Sequence, residues 1–106
     1  MVYLIHFTKK LHHAGHYLGY TTDFESRIER HRSGQGARLL QVLNQQGIAW
    51  DVVRIWPDGT SEFESILKKH LKHTPRLCPI CNPESKSGFL QNSEIVWQTS
   101  LQKHDF

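Results

Sequence analysis

Tyr17, Arg27 and His31 bring together a phenol, a guanidinium and an imidazole, groups from which phosphate chemistry can be assembled. Arg27 and His31 are four residues apart, so a helix across them sets both side chains in one row. Tyr17 heads YLGYT, a strand-like run that feeds directly into that helix, and Tyr3 lies in a second strand-like run, VYLIHF. A guanidinium fork and an imidazole beside two phenols at a strand end could grip a phosphate and activate a hydroxyl. The plainer reading joins Arg27 and His31 to Arg30 and Arg32 as a solvated basic face that needs no function.

Glu64, in FESILKK, is the carboxylate that stands out. It sits one position off an apolar stripe of Phe63, Ile66 and Leu67, where it can point into a cleft. Alternatively it caps its own helix, with Ser61 and Glu64 matching the capping-box pattern. Glu62 competes for the same role, but its place nearer the helix start suits ordinary dipole stabilisation.

Cys78 and Cys81 form the only cysteine pair, in RLCPICNP. Redox chemistry needs a strand-to-helix setting that Pro79 and Pro83 deny them. With His70 and His73 upstream, the run reads H-x2-H-x4-C-x2-C, enough ligands for tetrahedral Zn2+. Two reduced cysteines packing a turn is the other reading, and it carries more weight because the intervals are short.

The elements that must position these groups follow from the residue pattern. Val2 to Phe7 reads as a buried strand, and Tyr17 to Thr21 as its antiparallel partner across a loop, Thr8 to His16, that is too long for a two-residue turn. Gly19 inside the second strand implies a bend or a close approach to the backbone. Thr22 or Asp23 caps the first helix, which turns Phe24 and Ile28 to the core. Ser33 to Gly36 breaks the chain, and Ala37 to Asn44 makes a second helix with Leu39, Leu40 and Leu43 inward. Ile48 to Trp56 is a third strand, and a third helix runs from Thr60 or Ser61 to about His70. Beyond it, Phe89 to Trp97 is a short helix or strand that covers an exposed face.

The chain of 106 residues suits one domain with one core, and its 38% hydrophobic content is that of a globular protein. No apolar run approaches the roughly 18 residues of a membrane span, and the N-terminus reads as a strand rather than a signal segment. A cytoplasmic location is therefore expected. The formal charge of +3 is unevenly spread. Residues 1–45 hold Lys9, Lys10, Arg27, Arg30, Arg32 and Arg38 against Asp23, Glu25 and Glu29, whereas the remainder is balanced. An anionic partner should meet the first half.

In this order the residues resemble the GIY-YIG nuclease family over roughly Val2 to Leu71. Tyr3 matches the tyrosine that ends the first signature, although Met1 stands where the family has glycine. Tyr17, Leu18 and Gly19 match the second signature, Arg27 and His31 fall on the family's arginine and histidine, and Glu64 falls on its metal-binding glutamate. Asn82 is a weaker match to an asparagine that some members place beside the site.

The resemblance implies an α/β (α+β) domain, a three-stranded antiparallel sheet flanked by helices, with residues 1–73 as catalytic core and 74–106 as an extension packed on the same domain. It implies hydrolysis of phosphodiester bonds in DNA with one Mg2+ or Mn2+ held by Glu64. Arg27 would grip the phosphate, and a tyrosine would take the proton from water, Tyr17 before Tyr3, oriented by His31. A phenol acting as base at pH 7 works about three pKa units below its ordinary value, ~4 kcal/mol, and Arg27, His31 and the metal are the available sources. Lys9, Lys10, Arg30, Arg32 and Arg38 would contact the DNA backbone without reading sequence. Specificity would then be weak or supplied by a partner protein, and cutting both strands would need a homodimer or a second binding event. A DNA-binding module of the same fold without catalysis is the alternative.

Overall fold

β1 (Val2–Leu11) begins with four consecutive fully buried residues, Val2, Tyr3, Leu4 and Ile5, because it is a central strand covered on both faces. A computed structural model describes residues 1–96, apart from the side chains of residues 71–73. β2 (Ala14–Tyr20) pairs antiparallel with β1 on one side, and β3 (Trp50–Trp56) pairs antiparallel on the other. A two-residue strand, β4 (Glu94–Ile95), adds to β3, so the sheet has four strands in the order β2-β1-β3-β4 rather than the expected three. The molecule is a small α+β fold, with α1 (Phe24–Arg32), α2 (Arg38–Gln45) and α3 (Ser61–Lys69) packed on this sheet.

Alternation along the strands divides the core into two clusters. Tyr3, Ile5 and Phe7 pack with Leu40 and Leu43 of α2 and with Phe24 and Ile28 of α1. Val2, Leu4 and Leu18 pack instead with Leu67 and Phe63 of α3, and with Leu77, Cys78, Phe89 and Leu90 from the segment that follows. Two of the helices therefore lie on one face, and α3 with the later segment on the other.

Several boundaries depart from the sequence pattern. β1 and β2 are longer than expected and are joined by a two-residue turn, His12–His13, not by a loop from Thr8 to His16. His12 takes the left-handed conformation (φ 56°), a role usually filled by glycine or asparagine, so the turn carries no signal in its composition. The cap of α3 is Thr60, whose hydroxyl accepts from the Phe63 amide. Ser61 is thus the first helical residue, and Glu64 lies one position beyond the place a capping-box carboxylate takes. Asp23 caps α1 as expected, accepting from the Ser26 amide at 3.2 Å.

After α3 a 3-10 segment, Leu71–Leu77, accommodates Pro75, and a short 3-10 turn, Gly88–Leu90, precedes β4. Arg54 of β3 reaches into this region, donating from Nε to the Leu77 carbonyl at 2.8 Å and from Nη1 to the Ser93 hydroxyl at 2.7 Å. Trp56 Nε1 donates to the Phe89 carbonyl at 2.7 Å. Trp97, expected to help cover this face, lies outside the described residues. No helix among the described residues is long and apolar enough to cross a membrane.

Candidate active site

β1 and β2 set both tyrosines on one face. Tyr3 pairs with Gly19 and Ile5 pairs with Tyr17, so Tyr3 and Tyr17 are diagonal neighbours across the ladder, their ring centroids 6.2 Å apart. Gly19 is required by this arrangement: a Cβ there would stand 2.3 Å from Tyr3 Cζ and Oη. The close approach implied by a glycine inside a strand is thus that of the Tyr3 ring.

α1 supplies the other half. His31 is 1% exposed, and its Nε2 lies 2.8 Å from the Tyr3 hydroxyl. The Ala37 amide donates to His31 Nδ1 at 3.3 Å, which leaves the proton of the neutral ring on Nε2, donating to the Tyr3 oxygen. Gly36 makes room for the ring, since a Cβ there would fall 2.0 Å from Nδ1. In the sequence pattern Gly36 is no more than part of a break. Burial lowers the His31 pKa, with the Arg27 and Arg30 charges adding to the effect.

Tyr3 is fully buried. Burial raises its pKa well above the ordinary phenol range, the neighbouring Tyr17 pushes it further, and Arg27 pulls the other way through its charge and a hydrogen bond. Tyr3 therefore keeps its proton. Tyr17, half-buried, lines a recess of about 340 Å³ together with Arg27, Arg30, His31, Gln35, Gly36 and Ala37. Tyr17 and His31 meet edge to face at 5.6 Å. Tyr17, Arg27 and His31 thus line one recess, and Tyr3, buried and outside the lining, is joined to it by its contacts with His31 and Tyr17.

Glu64 does not line that recess. It belongs to α3, which packs on the opposite face against β1 and the edge strand β2, and its carboxylate pairs with Lys68 Nζ at 3.4 Å. An i,i+4 pair of this kind contributes about 0.3–0.5 kcal/mol, too little to hold the carboxylate against a divalent cation. One partly exposed carboxylate fits a hard ion that keeps several waters. Asn82 lines a separate recess with His70, Arg76 and Glu84.

Among the basic residues, Arg30 lines the site recess, and Lys9, Lys10 and Arg38 are partly or fully exposed. Arg32 is engaged within the molecule: its guanidinium lies 4.2 Å from the centre of the Trp50 ring and 3.6 Å from Asp51.

A second cluster corrects the metal-ligand reading. Cys78 and Cys81 meet His6 of β1 and His16 of β2, so a His6-His16-Cys78-Cys81 set could bind a metal, one suited to zinc rather than magnesium. His70 instead stacks near Phe89, with rings 5.4 Å apart, and the His73 side chain lies outside those described. The histidine ligands come from the far end of the chain, where local spacing could not reveal them. The sequence pattern places His16 in a loop, and only the observed extension of β2 back to Ala14 sets it opposite His6.

No protein-family model matches the chain, no curated protein matches it, and no solved structure matches it.

Proposed function

We propose that the chain is a divalent-metal-dependent endonuclease of the GIY-YIG kind that hydrolyses phosphodiester bonds in DNA. The observation that carries this reading is the meeting of Tyr17, Arg27 and His31, from a strand and a helix, at one small basic recess, with the buried Tyr3 of a second strand bonded to His31. Arg27 binds the scissile phosphate through its fork of donors and follows the negative charge that builds there. Tyr17, in the wall of the recess, takes the proton from the attacking water. Tyr3 retains its own proton and, fixed by His31 Nε2–H, positions Tyr17 by packing beside it. A Mg2+ or Mn2+ ion bound by Glu64, which stands outside the recess on the far side of the sheet, would supply neutralising charge to a DNA strand that crosses the β2 edge. Lys9, Lys10, Arg30 and Arg38 hold the DNA backbone.

The placement of Glu64 outside the recess favours a second reading, a DNA-binding module without catalysis. Incubation of supercoiled plasmid with the protein and Mg2+ or Mn2+ separates the two. The expected result is metal-dependent nicking that Glu64→Ala lowers by at least about 100-fold while DNA binding persists. DNA binding with no cleavage in either metal would replace the nuclease with the binding module.

A further inference from the structure

The four donor atoms of the second cluster stand in a geometry that hydrogen bonding does not explain. His6 Nδ1 lies 3.4 Å from His16 Nε2, 3.4 Å from Cys78 Sγ and 3.7 Å from Cys81 Sγ, and Cys81 Sγ lies 3.5 Å from His16 Nε2. A single ring nitrogen can share one hydrogen, yet three other donor atoms converge on this one. Bond lengths of zinc to nitrogen and sulfur give a tetrahedron whose edges are about 3.3 Å between nitrogens and about 3.6 Å between nitrogen and sulfur. The observed separations match those edges.

We propose that His6 Nδ1, His16 Nε2, Cys78 Sγ and Cys81 Sγ hold one structural Zn2+ that fastens the segment after α3 to the β1–β2 hairpin. His6 and His16 face each other in register across the two strands, so the hairpin presents both rings to the same side. The Cys-x-x-Cys turn is folded to present its sulfurs as well. Its Asn82 amide donates to the Cys78 carbonyl at 2.9 Å, and the amides of Ile80 and Cys81 hydrogen-bond to Cys78. Donors aimed at a sulfur favour its thiolate, the form that binds metal. All four positions are filled by side chains, which defines a structural site, not a catalytic one. The bridge spans 72 positions between His6 and Cys78, and His16 adjoins Tyr17, so the ion also anchors β2 beside the recess.

Zinc binding here is independent of the nuclease reading, and its test does not use DNA cleavage. Untagged protein purified without added zinc should carry about one zinc per chain. Replacement by Co2+ should give the intense visible absorption of a tetrahedral thiolate site, and the cysteines should resist alkylation until a strong chelator is added. Cys81→Ser, at an exposed position, should lose most of the metal, whereas His70→Ala should retain it. A metal-free native protein whose cysteines react equally fast with and without chelator would overturn the site. Loss of zinc in His70→Ala with retention in His16→Ala would overturn the ligand set. The cobalt spectrum and alkylation rates of the wild type decide the matter should a variant fail to fold.

Discussion

At the scale of single residues, the recess is built around His31. Its ring is faced by Tyr3 from β1, Tyr17 from β2, Arg27 and Arg30 from α1 and Trp50 from β3, with the Ala37 amide at Nδ1. Protonation would place a proton on Nδ1 against the Ala37 donor and add a third charge to two arginines. Its pKa is therefore lower in the folded protein than the ordinary 6.5. The stability that depends on the neutral ring is complete above pH 6.5 and is lost as the pH falls through the lower folded value. Cleavage and thermal stability of the protein should both fall on that acid limb, and an NMR titration of His31 should place its pKa below 6.5. A pKa at or above that value would contradict the assigned tautomer. Gly19 gives a second residue-scale prediction. Gly19→Ala forces a methyl group into the buried Tyr3 ring and should cost about 1–3 kcal/mol, or more where nothing can shift, in chemical denaturation.

At the scale of elements, the region after α3 is held by β3. Arg54 is 8% exposed and directs its donors to the Leu77 carbonyl and the Ser93 hydroxyl. Arg54→Leu keeps apolar bulk but strands the Leu77 carbonyl, so a loss of about 1–3 kcal/mol is expected in urea unfolding. An unchanged midpoint would show that the segment is not held by this bracket. The three main strands, three helices and the row of Arg27 and His31 were legible because hydrophobic periodicity and the Asp23 cap are local signals. The His12–His13 turn was not, since neither residue is a usual turn former, and β4 is too short to carry a pattern. Gly19 announced a close approach, but the need for Gly36 depends on where His31 points, a tertiary fact. The metal-ligand set was half legible. Cys78 and Cys81 form a motif by themselves, whereas His6 and His16 reach them only through the pairing of distant segments.

At the scale of the whole molecule, the proposed function rests on charge and on the two faces of the sheet. The recess lies on the face of α1 and α2, while Glu64 stands on the helix that packs on the other face against β1 and the edge strand β2. DNA held by the recess would therefore have to wrap the β2 edge to meet a cation at Glu64. Lys9, Lys10, Arg30 and Arg38 supply the positive field, and Arg32 is set aside because Trp50 and Asp51 engage it. Neutralising those four together should weaken DNA binding and lower the slope of log K against log salt by about 3 to 4. An unchanged slope would remove them from the DNA interface. On the nuclease reading, a single recess of this kind among the described residues would nick one strand at a time, so open-circular plasmid should accumulate before linear product.

The nuclease reading meets its sharpest test in the rate at which supercoiled plasmid becomes nicked in Mn2+, compared among wild type, Arg27→Ala and Tyr17→Phe. Measurable nicking by the wild type is expected, with a loss of at least about 100-fold in each variant and the fold retained by circular dichroism. Wild-type nicking that survives both substitutions would contradict it, because the phosphate would then be cut somewhere other than this recess.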